Sequence, residues 1–129
     1  SAKGKGRRLQ QYIRDKLYDK YEILEDGDIE SIGMGQQGCD VVLSPSAKRF
    51  IPFDIEAKNQ EKLNIWSALE QAERNSKRPR IPLVVFKRNR SEVYACLKFE
   101  DLLDLTYRLY GKHLIGEHNE LRNKGENYE

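Results

Sequence analysis

The sequence predicts an α/β fold with a central mixed sheet of about five strands flanked by helices. Three observations predict it. Two segments, around Leu9 to Leu17 and Ile65 to Ala72, repeat apolar residues at helical spacing. The segment Phe53 to Lys58 alternates apolar and charged residues with the period of two that belongs to a strand. Helical and extended patterns also alternate along the chain in the order helix, three strands, helix, two strands, helix.

Leu9, Tyr12, Ile13 and Leu17 define an amphipathic helix over roughly Gly6 to Lys20. Gly27 is a turn signal, and Ile29 to Ile32 alternates as a short strand. Gly33 to Gly38, enclosing Gln36 and Gln37, is too rich in glycine for regular structure and delivers the chain to Asp40. Asp40 to Leu43 reads as a strand, Ser44-Pro45-Ser46 as a turn and Phe50 to Lys58 as a second strand, so a hairpin is expected. Leu63 to Ser76 is the next helix, stopped before Pro79. Ile81 to Phe86 and Val93 to Leu97 are two further strands around the turn Lys87 to Arg90. Phe99, Leu102, Leu103, Thr106, Leu109 and Tyr110 trace a last helix, and a single domain over 1–112 is expected to end in a polar tail over 113–129, frayed from Asn123.

With 129 residues, 38% hydrophobic and 34% charged, the chain has material for one core. Two cysteines, Cys39 and Cys96, supply neither a disulfide framework nor a paired zinc site. No apolar run approaches a membrane span and no secretory signal is visible, so a soluble, cytoplasmic protein is expected. Phosphate loops ending in Lys-Ser/Thr and Gly-x-Ser-x-Gly elbows are missing, which argues against a nucleoside triphosphatase or a serine hydrolase. His113 and His118, five residues apart, lack the spacing of a helical ligand pair. Trp66 is expected in the core or at an oligomer surface. The net charge of +2 announces no partner, but Ser1 to Lys20 carries seven basic residues against two acidic ones. Lys3, Lys5, Arg7 and Arg8 lead this run and fit phosphate contacts as well as they fit a solvated helix face.

The chemistry concentrates on Phe53 to Lys58. Asp54, Glu56 and Lys58 share one face of the strand, while Phe53, Ile55 and Ala57 enter the core. Pairing with the preceding strand would set Asp40 beside Glu56, and two adjacent carboxylates repel unless a divalent cation joins them. Asp40, Glu56 and the carbonyl of Ala57 make a short ligand list sufficient for Mg²⁺. Lys58 would reach the same space, to act on a water or on the charge of a phosphoryl transition state. The triplet by itself also fits an edge strand with ordinary ion pairs. Ser31 and the glycine-rich loop with Gln36 and Gln37 are positioned to close over a phosphate, or simply to connect two strands.

Gly38-Cys39-Asp40-Val41-Val42, followed by Ile55-Glu56-Ala57-Lys58-Asn59, resembles the signature of PD-(D/E)xK nucleases. The similarity is greatest to archaeal-type Holliday junction resolvases and small phage-encoded nucleases. It implies a restriction-endonuclease-like core with Asp40 and Glu56 as metal ligands and Lys58 as catalytic lysine. It also implies a role near the active site for Gln71 in the following helix. Gln10 stands where relatives carry a glutamate in the first helix, a departure that favours one metal over two; it joins the expected DNA contacts. The resemblance further implies a Mg²⁺- or Mn²⁺-dependent DNA endonuclease, a homodimer and a branched DNA substrate. If phage-encoded, its place would be the host cytoplasm. Nicking or degradation of linear or single-stranded DNA, and a non-catalytic DNA-binding module of the same fold, are the alternatives.

Overall fold

The computed structural model describes residues 1–31 and 40–125. The chain forms two compact units, Ser1–Leu97 and Lys98–Glu129. The first is an α/β unit built on one open mixed sheet of five strands in the order β1-β2-β3-β4-β5. Its elements are α1 (Ala2–Lys20), β1 (Ile29–Ser31), β2 (Val41–Leu43), α2 (Pro45–Phe50), β3 (Phe53–Asn59), α3 (Ile65–Arg74), β4 (Ile81–Lys87) and β5 (Tyr94–Cys96). Only β3 and β4 run parallel, which requires the crossover that α3 provides; the other three pairings are antiparallel.

Two apolar layers show why the strands alternate. On one face, Leu9 and Ile13 of α1 pack with Ile29, Val41, Leu43, Ile55, Ala57 and Leu83. On the other, Ala68 and Ala72 of α3 pack with Val84. Odd-numbered residues of β3 therefore serve the α1 layer and even-numbered ones face the α3 side. Gly27 takes φ 91°, which glycine adopts without the Cβ penalty.

Between β2 and β3 the hairpin expectation fails locally. The strands are antiparallel, but Pro45–Phe50 is a helix capped by the Ser44 side chain, which accepts from the Ala47 N–H at 3.1 Å. Ser44 followed by Pro45 is an N-cap with proline in the first turn, a start signal that also reads as a turn. Helix α1 starts at Ala2, four residues before the expected start at Gly6, because Ser1 caps it.

Below β3, an arginine ties three segments together. Arg80 pairs with Asp54 at 2.7 Å and donates to the carbonyls of Ile51 at 2.8 Å and Phe53 at 2.7 Å, while Ser76 Oγ donates to Asp54 at 2.8 Å. Asp54 is thus engaged in holding the start of β3.

In the second unit, α4 (Phe99–Thr106), a π-helical turn (Tyr107–Gly111) and α5 (Lys112–Asn123) follow without a break. The polar tail expected from 113 is helical through Asn123, since Leu114, Ile115 and Leu121 keep helical spacing among good helix formers. Residues 126–129 of that expected tail lie outside the described residues. No helix among the described residues is long and apolar enough to cross a membrane. Trp66 is 74% exposed and takes no part in the core of the described residues.

Candidate functional site

The register of the central strands brings the acidic residues together. Val41 pairs with Ile55, both facing the α1 layer, so the next pair along, Asp40 and Glu56, shares the opposite face. The backbone N–H of Asp40 donates to the Ile55 carbonyl at 3.0 Å. Its carboxylate also accepts the Ala57 N–H at 2.7 Å. A strand residue directs its N–H and C=O to the same edge, so the Ala57 carbonyl opens toward Asp40 as well.

Glu56 is 1% exposed at the centre of the sheet. One oxygen, Oε1, accepts from Asn75 Nδ2 at 2.7 Å, reached from the C-terminal end of α3. The other, Oε2, is buried with no hydrogen-bond partner among the described residues. The charges that act on the Glu56 carboxyl are those of Asp40 and Lys58. Burial is the main reason that the Glu56 carboxyl is pushed up from 4.5 to about 7; the Asn75 bond opposes this, Asp40 adds to it as like charge and hydrogen-bond neighbour, and Lys58 opposes it. Two ionised carboxylates have no donor to offer each other. A proton or a cation placed between them removes both the repulsion and the unmet acceptor.

A divalent cation fits this donor set. Asp40, Glu56 and the Ala57 carbonyl offer only hard oxygen ligands, and Mg²⁺ needs no more than one or two protein carboxylates. Among the described residues no group of three or more His, Cys, Asp or Glu side chains is arranged to hold a metal ion, so Asp40 and Glu56 have no third acidic side chain beside them.

The other expected residues fall in three places. Lys58 continues the even-numbered face of β3 beyond Glu56 and is half-buried. Gln71 lies one turn before Asn75 on α3, but Asn75 is the residue of that helix that bonds Glu56. Sequence reasoning missed Asn75; its only signal was the four-residue spacing from Gln71, which places both on one stripe. Lys3, Arg7 and Arg8 are exposed, and Lys5 is half-buried with its carbonyl accepting from Asn59 Nδ2 at 3.3 Å. That bond sets the basic end of α1 against the end of β3 that carries Lys58. A cleft of 370 Å³ follows beside it, lined by Arg8, Tyr12, Asn59, Lys87 and Glu92 among others.

Two expected contacts are placed elsewhere. Gln10 is 3% exposed, so its amide is an internal group without surface to offer DNA. Ser31 pairs with Val41 and shares its α1-side face, away from the face of Asp40 and Glu56. Gln36, Gln37, Cys39 and the Gly33 to Gly38 loop lie outside the described residues. No protein-family model, no curated protein and no solved structure matches the chain.

Proposed function

We propose that this chain is a divalent-metal-dependent DNA endonuclease of the PD-(D/E)xK type, which hydrolyses phosphodiester bonds and favours branched DNA such as a Holliday junction. The observation that carries the reading is the buried Glu56 Oε2, without a hydrogen-bond partner among the described residues, beside Asp40 and with Lys58 on the same face of β3. A carboxylate pair of this kind is costly in a fold that does not use it. Resemblance of the Asp40 and Ile55-Glu56-Ala57-Lys58 segments to the nuclease signature supports the same assignment.

Asp40, Glu56 and the Ala57 carbonyl would hold Mg²⁺ or Mn²⁺, which when bound supplies Lewis-acid stabilisation of charge on the phosphate. Asp40 is fixed for that task by the Ala57 N–H, and Glu56 by Asn75. Lys58 brings a cation to the same space, where it orients the attacking water and offsets charge gathering on the phosphoryl oxygens. Arg7, Arg8 and Lys3 at the exposed end of α1 contribute phosphate contacts that position the nucleic acid without reading its sequence.

The test is cleavage of four-way, flapped, single-stranded and duplex DNA, with Mg²⁺, with Mn²⁺ and with chelator. Metal-dependent cutting, greatest on the four-way junction, is expected. Glu56→Gln and Lys58→Ala should each lower the rate by about 100-fold or more, the scale of a lost acid–base or electrostatic group. Cutting confined to linear or single-stranded DNA would keep the chemistry and overturn the substrate. Cutting unaffected by both substitutions, or none on any substrate with either metal, would overturn the assignment.

A further inference from the structure

On the face of the sheet that carries Glu56 and Lys58, the strand register continues into aromatic residues. Lys58 of β3 pairs with Phe86 of β4, and Phe86 pairs with Tyr94 of β5. Partners in register project to one face, so Lys58, Phe86 and Tyr94 form a row across three neighbouring strands. Two strand spacings set the backbone of Tyr94 roughly 10 Å from that of Lys58. The two rings contact each other, with centroids 6.2 Å apart and planes tilted by 36°. Phe86 is half-buried and packs against Ala68, Ala72 and Val84, whereas Tyr94 is 56% exposed.

Both rings, together with Leu63, border a cavity of 420 Å³ whose lining belongs entirely to the sheet unit. This is the size of a small-ligand pocket. Gln60, Lys87, Arg88 and Glu92 stand around it. Glu61 borders it too, but its Oε2 accepts the Asn89 N–H at 3.0 Å and so pins the turn between β4 and β5. An aromatic wall with a polar rim suits a planar heterocycle that carries an anionic chain. A nucleobase can stack on the rings, which is sequence-tolerant because every base has a π-face. Gln60 and Glu92 can meet its hydrogen-bonding edge. Lys87 and Arg88 supply charge for the phosphates on either side of it.

We propose that Phe86 and Tyr94 form a stacking platform for one unpaired base of the DNA strand whose phosphate lies at Lys58. The assignment rests on the reading of this chain as a DNA nuclease and names the feature of the substrate that it selects. A continuous duplex keeps the faces of its bases inside the stack, while a branch point, a flap or a single strand sets one free.

The experiment compares a thymidine oligomer with a base-free oligomer of the same length and backbone charge. Affinities are measured by fluorescence anisotropy in chelator, so that no strand is cut. The wild type should bind the thymidine oligomer about 5- to 100-fold more tightly, the scale of one base stacked on an aromatic side chain. Tyr94→Ala should lose that preference and keep the weaker affinity for the base-free oligomer, which serves as its folding control. Tyr94→Trp retains a ring and covers the case in which the alanine variant does not fold. It should keep the preference, and the fluorescence that it adds should be quenched by the thymidine oligomer and not by the base-free one. Equal wild-type affinity for both oligomers overturns the platform, as does a preference that survives Tyr94→Ala or a Tyr94→Trp signal indifferent to bases. Metal-dependent cutting that persists beside any of these results leaves the nuclease reading standing. A base preference that depends on Tyr94, found without cutting of any DNA, keeps the platform and overturns the nuclease.

Discussion

Asn75 is the residue on which the chemistry of Glu56 turns. Its amide donates 2.7 Å to Oε1, the one hydrogen bond that Glu56 accepts among those described, and it favours the ionised carboxyl against the pull of burial. Asn75→Leu keeps the volume and removes the donor, so Glu56 should hold its proton to higher pH. A metal that needs the carboxylate must then displace that proton, and a charge-assisted hydrogen bond is worth roughly 1.5–3 kcal/mol. Mg²⁺ affinity near pH 7 is expected to drop about 10-fold or more, and to recover most of the loss at about pH 9, where the proton leaves unaided. Calorimetric titration of both proteins at both pH values checks this. An equal loss at the two values would mean that Asn75 acts on the shape of the site and not on the Glu56 proton. Asp54 shows the opposite case: it shares the face of Glu56 and Lys58, yet its oxygens are taken by Arg80 and Ser76.

At the scale of elements, α1 joins a core stripe to a charged end. Leu9, Gln10 and Ile13 are buried, whereas Lys3, Arg7 and Arg8 are exposed and are held at the end of β3 through the Asn59 to Lys5 bond. Replacing Lys3, Arg7 and Arg8 by alanine should leave folding intact and weaken binding to every DNA sequence alike. The slope of log affinity against log salt should become shallower by about one for each phosphate that is no longer neutralised. A steady slope, measured by fluorescence anisotropy, would remove α1 from the DNA-binding surface. Much of this was legible in the sequence because it is local and periodic: the period of two in Phe53 to Lys58 names the face of Glu56, and the 3.6 period finds α1 and α3. What was not legible depends on tertiary neighbours. Asn75 gains its role only when α3 packs on β3, and Asp54, on the same face as Glu56, is engaged by Arg80, 26 residues away. Gln10 looks like any helical amide until Leu9 and Ile13 carry it into the core. Ser44-Pro45 opens a helix or a turn equally well, and only the fold decides between them.

For the folded sheet unit as a whole, the Glu56–Asp40 arrangement makes stability depend on pH in a direction opposite to that of a salt-bridged carboxylate. Glu56 releases its proton at about 7 in the fold but at 4.5 when unfolded. Below 4.5 both states hold the proton and the fold keeps its full advantage. As pH rises toward 7 the unfolded chain ionises first, so stability falls across that window and levels off above it. A rise of this size corresponds to on the order of 3 kcal/mol once ionisation is complete. At the proposed site Mg²⁺ should act in the reverse sense, because it would bind the ionised pair and only in the fold, adding stability as RT ln(1 + [Mg²⁺]/Kd). The gap between melting temperatures with Mg²⁺ and with chelator should therefore be small near pH 4.5 and widen toward pH 8. Glu56→Gln supplies a neutral side chain of the same shape, so its chelated form should lose the wild type's decline between 4.5 and 7, and Mg²⁺ should add little at any pH. Thermal unfolding of the two proteins through this range, with and without the metal, isolates Glu56 from the other titrating groups, which are common to both. If both proteins decline alike and gain alike from Mg²⁺, the buried carboxylate is neither the proton store nor the metal ligand, and the site must be sought elsewhere on the chain.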